Sequence, residues 1–364
     1  MRHNRYLQLF WEFFKTSLFV VGGGYAIAAE ANDKFGKRLR WLKEDDILDN
    51  LPLISSVPGL IAGNTAIFTG LKTAGRLGAV AALTGSAVPS LVIFTLVSYG
   101  FTLVPNGNAL IEGSFLALRS SLTAVVATTM YSTLMRKAPD FEKGIGVKLK
   151  PLRTRTRITA LCAALPILAA AAIFHIDILC VFLGFGTICI GGGFPLVPFY
   201  SRIFTGPEAL FVGMTEENFS NLMALTQMTP GPVSVNAATF FGISMGGIFG
   251  GIIATAALLT PSYFMMTGAL TALYKLKKSN AAKIAFAIMK PISLCLMSLA
   301  LWKFATMSVV TRCAAGSFEL NLTGLAIFAI SIILLKKFKF SVMASVASSA
   351  AAGFAIALLN QWRG

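Results

Sequence analysis

The sequence predicts an all-α integral membrane protein, with about 11 transmembrane helices arranged as two inverted-topology repeats that contain broken helices. Three observations lead to this fold class. The mean hydropathy is +0.74, and 55% of the residues are hydrophobic whereas 13% are charged, too few to cover a soluble globule. Glycine and proline motifs occur twice along the chain in the same order. Both sets lie in apolar segments, where such residues interrupt helices.

Apolar segments of about 20 residues, enough to cross the hydrocarbon core as a helix, follow one another along the chain. The sequence lacks the alternating pattern of outer-membrane strands, so these segments are expected to be helices. They are predicted at residues 7–28, 48–71, 77–103, 111–135, 158–175, 178–200, 217–242, 248–273, 283–306, 320–335 and 339–360.

The net charge of +16 indicates orientation rather than nucleic-acid binding, because the Lys and Arg residues fall mostly between apolar segments. The richest basic cluster, residues 136–157, is expected in the cytoplasm by the positive-inside rule. Counting spans from there puts the N-terminus inside, the loop around Asn106 outside and the C-terminus outside. The first apolar segment carries Glu12 and Lys15 and has no small-residue cleavage site, so it is expected to be a retained span.

The chain contains one arrangement of motifs twice, which indicates an internal duplication. The repeats are expected at residues 1–157, including the linker 136–157, and at residues 158–364. The two Gly-Gly-Gly runs lie in the first and the sixth predicted spans, five spans apart, so the two copies are expected to enter the membrane in opposite directions. The matched pairs, each 172 positions apart, are Pro58 and Pro230, Gly59 and Gly231, Asn64 and Asn236, Pro89 and Pro261, and Ser90 and Ser262.

Proline and glycine inside apolar spans predict helix breaks at Pro58-Gly59 and at Pro230-Gly231. Backbone groups freed there need water, a ligand or polar side chains. The helix that restarts after each break presents unpaired N–H groups and the positive end of its dipole, which attract an anion. The same polar residues could instead satisfy the kinks or join neighbouring helices. The polar candidates are Ser55, Ser56, Asn64, Gln227, Thr229, Ser234 and Asn236.

The Gly-Gly-Gly runs contribute Gly23, Gly24, Gly192 and Gly193 to the same candidate site. Three successive glycines destabilise a helix, so each run predicts an unwound crossing point, with close helix packing as the alternative. Close packing is the expected role of four further glycines in Ala-rich segments, namely Gly75, Gly78, Gly247 and Gly250.

Charged residues within the predicted spans are few. Arg119 and Lys290 occupy nearly equivalent places in the two copies and could balance the charge of a bound anion, with snorkelling to the interface as the alternative. Thr215 is expected to cap the helix that starts with two acidic residues. The five Cys residues show no metal-ligand spacing, so neither a metal nor another cofactor is expected.

At these residues the chain resembles the chromate transporter family. The resemblance covers most of residues 10–275 and implies a carrier of the bacterial plasma (inner) membrane, active in chromate efflux in its studied members, with two homologous halves. The chain departs from the family pattern at Leu60, where the family has a second proline. The segments that carry the resemblance are GGGYAIAAE, WLKEDD and VPGLIAGNTAIFTG in the first half and GGGFPLVPF, TEENF and TPGPVSVNAATFFG in the second.

The sequence therefore predicts a secondary carrier for a tetrahedral oxyanion such as chromate, or sulfate with its similar shape and charge, working by alternating access. No nucleotide-binding motif occurs, so the energy is expected from an ion gradient or a partner. A carrier for another solute, such as an organic anion, is the main alternative. A membrane-embedded enzyme is a further one, although the chain has two His residues and no zincin or nucleophile-elbow motif. The expected partners are a small inorganic anion, the lipid bilayer and, as an open alternative, a second copy in a homodimer; nucleic acid is not expected.

Overall fold

The structure is a computed structural model that describes residues 2–20, 23–102, 109–135, 175–205, 209, 214–276, 280–312, 318–338 and 340–363. The predicted linker 136–157, nearly all of the predicted span 158–175 and the predicted outer loop at Asn106 lie outside the described residues.

Helices make up most of the described chain, as the sequence predicts. They are α1 (Arg2–Phe19), α2 (Gly23–Asn32), α3 (Asp46–Asp49), α4 (Leu51–Ser56), α5 (Ile61–Thr102), α6 (Ala109–Met135), α7 (Ile176–Ile188), α8 (Val197–Phe204), α9 (Glu216–Met228), α10 (Val233–Leu276), α11 (Asn280–Ser308), α12 (Leu322–Lys336) and α13 (Val342–Arg363). A π-helix at Asp33–Arg38 extends α2, and a 3₁₀ turn at Phe194–Leu196 precedes α8. The strands β1 (Val310–Arg312) and β2 (Phe318–Leu320) form a short antiparallel ribbon that the all-α prediction did not include.

The chain forms two compact units, and each combines segments from both predicted repeats. The first unit contains Met1–Ser98, Ala138–Gly193 and Pro230–Lys290. The second contains Tyr99–Lys137, Phe194–Thr229 and Pro291–Gly364. Most of α5 and all of α10 therefore belong to the first unit, whereas α6, α9, α12 and α13 belong to the second.

The helix α5 turns back on itself at Gly75, which has a φ of 74° and a non-helical ψ. In a straight helix, Gly70 and Ala79 would be about 13 Å apart along the axis. Instead, a Cβ built on Gly70 would lie 2.5 Å from Cα of Ala79. Residues 61–74 and 76–102 are thus two antiparallel arms that pack closely through glycine. Pro89 lies inside the second arm.

The helix α10 repeats this hairpin at the equivalent position. Its turn is at Gly247, with a φ of 62°. The arms again meet at glycine, because a Cβ built on Gly242 would lie 2.5 Å from the carbonyl oxygen of Gly250. The hydroxyls of Thr239 and Thr255 also join the arms across 2.7 Å.

The glycine prediction is therefore half right. Gly78 and Gly250 are packing residues, as predicted, because each lies against the opposite arm of its hairpin. Gly75 and Gly247 are not, since nothing lies within 4 Å of a Cβ built on either one. They serve the turn instead, where their positive φ favours glycine.

Three helical segments of the described chain are long and apolar enough to cross a membrane: Ile61–Gly100, Val233–Thr271 and Pro291–Ser308, with 40, 39 and 18 residues. The first two contain the glycine turns, so each corresponds to more than one passage of chain. The arm at residues 61–74 is roughly 21 Å long, shorter than the hydrocarbon core of a bilayer. Large apolar side chains that are exposed on these helices, among them Leu96 and Phe264, suit contact with lipid.

The helix start predicted near residue 217 is confirmed. The side chain of Thr215 accepts a hydrogen bond of 3.2 Å from the backbone N–H of Asn218, which makes it the N-cap of α9. The equivalent part of the first copy is divided into α3 and α4. Pro52 explains the division, because it lies at the start of α4 and cannot donate a backbone hydrogen bond to continue α3.

In the second unit, α6 packs against α12 and α13 through small residues. A Cβ built on Gly113 in α6 would lie 2.6 Å from Cβ of Ala357 in α13. One built on Gly324 in α12 would lie 3.3 Å from Oγ of Ser120 in α6. Close approach through Gly, Ala and Ser is typical of helix packing within a bilayer.

Candidate functional site

The first predicted break is confirmed in the structure. The helix α4 ends at Ser56, and α5 begins at Ile61. Between them lies Gly59, whose φ of 124° is accessible to glycine and strained for other residues. We call residues 57–60 the first break.

The second predicted break is confirmed at the equivalent position. The helix α9 ends at Met228 and α10 begins at Val233, each 172 residues after its counterpart in the first copy. Gly231 has a φ of 108° and takes the place of Gly59. We call residues 229–232 the second break. The duplication in the sequence is thus a duplication of local structure.

The third glycine of each Gly-Gly-Gly run packs against the first turn of a restarted helix. A Cβ built on Gly24 would lie 2.7 Å from Cβ of Ile61 and 3.0 Å from the backbone nitrogen of Ala62. A Cβ built on Gly193 would lie 3.2 Å from the backbone nitrogen of Ser234. In both copies, glycine therefore lets another stretch of backbone reach the N-terminus of the helix.

The second glycine run is unwound, as predicted. The helix α7 ends at Ile188, and Gly191 and Gly192 have φ values of 77° and 120°. The first run differs, because Gly23 and Gly24 already form the first turn of α2.

A backbone hydrogen bond joins the first break to the second glycine run. The amide of Gly59 donates to the carbonyl oxygen of Cys189 at 2.5 Å. The thiol of Cys189 in turn donates to the carbonyl oxygen of Gly192 at 3.2 Å. Gly59, Gly192 and the start of α5 therefore lie together, since Gly192 approaches Cδ1 of Ile61.

Asn64 holds the first break in place. Its buried side chain donates from Nδ2 to the carbonyl oxygen of Ile54 at 3.0 Å and to that of Val57 at 2.9 Å. These carbonyls lose their helical partners because α4 stops, so the amide replaces the missing donors. Asn236 also contacts its own break, from Nδ2 to the carbonyl oxygen of Pro230, at 3.5 Å. These contacts are the ones expected if the two residues satisfy the breaks, and anion binding by them stays a prediction.

Sequence reasoning missed two serines that lie at the breaks. A Cβ built on Gly59 would lie 2.5 Å from Oγ of Ser262, and one built on Gly231 would lie 2.5 Å from Oγ of Ser90. Each serine therefore covers the break of the other copy. The sequence does mark these serines as candidates, because a polar residue that occurs at the same place in both copies, inside an apolar span, is often functional.

The other predicted polar residues are distributed differently. Ser56 donates to the carbonyl oxygen of Pro52 at 2.6 Å, and Ser55 does so at 3.1 Å, so both hydroxyls bond to their own helix. Thr229 similarly donates to the carbonyl oxygen of Leu225 at 2.8 Å. Gln227 is buried in α9, and within the described chain its Nε2 has no hydrogen-bond partner. Thr229 and Gln227 belong to the second unit, whereas Gly231 and Asn236 belong to the first.

Arg119 forms an ion pair within the second unit. Its Nη2 lies 3.1 Å from Oε1 of Glu217, and its Nε donates to the carbonyl oxygen of Phe115 at 3.3 Å. Glu216 binds Lys303 and also accepts from the hydroxyl of Thr205 at 2.7 Å. The first turn of α9 thus carries two carboxylates that pair with cations. The side chain of Lys290 lies outside the described residues, so the predicted pair of basic residues stays a prediction.

The fold and the site define a helical membrane protein built around duplicated helix breaks. The model of the chromate transporter family matches the chain twice, at residues 7–181 and 176–354. The chain therefore belongs to the chromate transporter family, which confirms the resemblance noted in its sequence. It is a transporter rather than an enzyme, as its curated relatives are.

Individual relatives are distant in sequence but are covered over most of their length. An uncharacterized transporter of Methanocaldococcus jannaschii is 24% identical, over 96% of this chain and 94% of that protein. The chromate transport protein of Cupriavidus metallidurans is 21% identical, over 70% of this chain and 72% of that protein. That of Pseudomonas aeruginosa is 22% identical, over 71% of each. No solved structure matches the chain.

Proposed function

We propose that this chain is a secondary carrier that moves a tetrahedral oxyanion, chromate or sulfate, across the bacterial plasma membrane by alternating access between two inverted repeats. Family membership supports a transporter, and the names of two relatives support chromate as the substrate class. The structural observation that carries the proposal is the pair of restarted helices, α5 and α10, which begin beside equivalent breaks.

The start of a helix suits an oxyanion because its first N–H groups have no partner within the helix and carry a partial positive charge. At the start of α5, Ile61 and Ala62 are buried, and at the start of α10, Ser234 is buried. Low local polarity strengthens the attraction between these N–H groups and an anion. Uncharged donors also let the anion leave again, which a carrier requires.

The duplication supports alternating access as the mechanism. The two copies enter the membrane in opposite directions in the predicted topology, so a movement that opens one copy inward has a counterpart that opens the other outward. The breaks and the glycine turns are the positions where such a movement needs the least rearrangement of helical hydrogen bonds. An ion gradient supplies the energy in this proposal, and Arg119 and Lys290 balance the charge of the anion.

Binding of labelled chromate to the purified protein tests the proposal. We expect saturable binding that unlabelled chromate displaces and that organic dicarboxylates do not. Proteoliposomes should then take up chromate when an ion gradient is imposed and stop when an ionophore removes it. Displacement by dicarboxylates alone would favour the organic-anion carrier, and uptake without any gradient dependence would contradict secondary transport.

A further inference from the structure

Ser262 and Ser90 belong to a small group of buried serines inside helices whose hydroxyls have no partner within the described chain, and they are the two that lie beside the glycine of a break. Both are fully buried, and neither Oγ has a hydrogen-bond partner among the described residues. A serine in a helix normally donates to a carbonyl three or four residues earlier. Ser86, one turn before Ser90 in the same arm, does so, with 2.8 Å between its Oγ and the carbonyl oxygen of Leu83.

A buried hydroxyl without a partner destabilises a fold, because it has lost its hydrogen bonds to water. Here two equivalent serines each have such a hydroxyl, and both hydroxyls lie beside the glycine of a break. Ser90 and Ser262 differ from the other buried hydroxyls without a partner because each faces the glycine of a break, at equivalent positions of the two copies. A ligand that accepts a hydrogen bond at each break would give both hydroxyls a partner.

Asn64 adds an acceptor to the first break. Its Nδ2 faces two carbonyl oxygens, which can only accept, so the orientation of the amide is fixed. Its Oδ1 therefore points the other way and lies 2.8 Å from a Cβ built on Gly59, the same point that Ser262 approaches. This oxygen also has no partner in the part of the chain that the structure describes. The first break thus offers a donor and an acceptor side by side.

We propose that Ser262 and Ser90 contact the substrate, each completing a subsite at the break of the other copy, and that Asn64 selects an oxyanion that carries a hydroxyl. The serine hydroxyl donates to a bare oxygen of the anion, and the start of the restarted helix supplies N–H donors. Oδ1 of Asn64 repels a fully deprotonated oxyanion and accepts a hydrogen bond from a protonated one. This inference rests on the proposed function and deepens it.

The ligand class follows from this arrangement. Chromate takes up one proton in mildly acidic solution, whereas sulfate and selenate, with the same tetrahedral shape, stay fully deprotonated there. Selection by shape and charge alone would let all three bind comparably. Selection through Asn64 favours hydrogen chromate.

Ser90→Ala and Ser262→Ala test the serines, with Ser86→Ala as the matched control. We expect each of the first two substitutions to raise the dissociation constant for chromate by about 10- to 150-fold, the usual effect of losing a hydrogen bond to a charged group. Their melting temperatures should stay unchanged or rise, because an unmet buried hydroxyl is removed. Ser86→Ala should leave affinity unchanged and lower the melting temperature slightly.

Three results would overturn the inference while leaving the proposed function intact. The first is chromate binding by both serine variants that equals the wild type. The second is a loss of affinity that parallels a loss of thermal stability, which indicates a structural role. The third is displacement of chromate by sulfate and selenate as efficient as by chromate itself, which excludes the selection by Asn64. Absence of chromate binding to the wild-type protein would instead contradict the proposed function.

Discussion

The hydroxyl of Ser262 occupies the space in which a side chain on Gly59 would begin, since a Cβ built there would lie 2.5 Å from its Oγ. The two residues come from different copies of the duplication and are 203 positions apart in the sequence. Ser90 and Gly231 form the same relationship in the opposite sense. Each break is therefore in contact with a serine of the other copy.

We expect Gly59→Ala to destabilise the protein for two reasons. The φ of 124° is strained for alanine, at a cost of about 1–3 kcal/mol, and the new methyl group would collide with Ser262. Gly75→Ala is the matched comparison, because it carries a strained φ of 74° but has open space around it. Thermal unfolding in detergent should show a larger loss for Gly59→Ala.

The collision can be separated from the backbone strain by a double variant. Gly59→Ala combined with Ser262→Ala removes the nearest atom that the methyl group meets, while Cβ of residue 262 and Oδ1 of Asn64 stay at 2.8 Å, so part of the lost stability should return. Gly75→Ala combined with Ser262→Ala should recover no more stability than Ser262→Ala adds to the wild-type protein. Equal stabilities for the single and the double variant at residue 59 would mean that the hydroxyl of Ser262 does not confine the break.

Asn64→Ala should lower the free energy of unfolding, because it leaves two buried carbonyl oxygens without their donor. A buried acceptor that loses its partner costs about 1–3 kcal/mol. Asn218→Ala, where the side chain is exposed, is the control and should be close to neutral. Chemical or thermal unfolding of both variants measures the difference.

Chromate affinity of the same Asn64→Ala variant tests its second role. Binding through Oδ1 predicts that hydrogen chromate loses affinity while sulfate, which this oxygen repels, does not. A less stable protein with unchanged affinity for both anions would restrict Asn64 to holding the break.

The local structure of the breaks is predictable from the sequence, and their surroundings are not. Proline and glycine act on their own backbone, so both interruptions and both restarts fall where Pro58 and Pro230 indicate. The serine that covers each break depends on packing between copies, which no local pattern encodes. Glycine is ambiguous for a related reason, because Gly75 and Gly78 look alike in sequence although one makes a turn and the other a close contact.

The ion pairs of the charged residues are likewise not predictable from local sequence. Arg119 is isolated within its own span, which suggests a role toward an anion, but its partner Glu217 comes from a helix 98 residues later in the sequence. Pairing over such a separation is settled by the tertiary fold. Local sequence likewise does not predict that two carboxylates of α9 form ion pairs with Arg119 and Lys303.

Arg119→Gln and Glu217→Gln distinguish anion binding from a purely structural ion pair. If Arg119 balances the charge of the substrate, Arg119→Gln should weaken chromate transport by roughly tenfold or more. Glu217→Gln should not weaken it, because an arginine released from its carboxylate attracts an anion at least as well. Lys290→Gln provides the parallel measurement in the second copy.

A purely structural role of the ion pair predicts a different result for Arg119→Gln, Glu217→Gln and their double variant. The two single variants would then lose transport and stability to similar degrees, and the double variant would be no worse than either one. That result would remove Arg119 from the proposed binding residues and leave it as the residue that fastens α9 to α6.

The two copies run through the membrane in opposite directions in the predicted topology. Cysteine labelling can test this topology. The five native cysteines are first replaced, and single cysteines are then introduced at Asn106 and at Ile145. An impermeant maleimide added to intact cells should label position 106, because the loop there is predicted to be outside. Position 145, in the basic linker, should react only after the membrane is opened. The second glycine run, in the sixth predicted span, has the opposite orientation to the first run, in the first span, only if these two positions lie on opposite sides. Labelling of both from the same side would make the repeats parallel, and alternating access between inverted copies could not then be the mechanism.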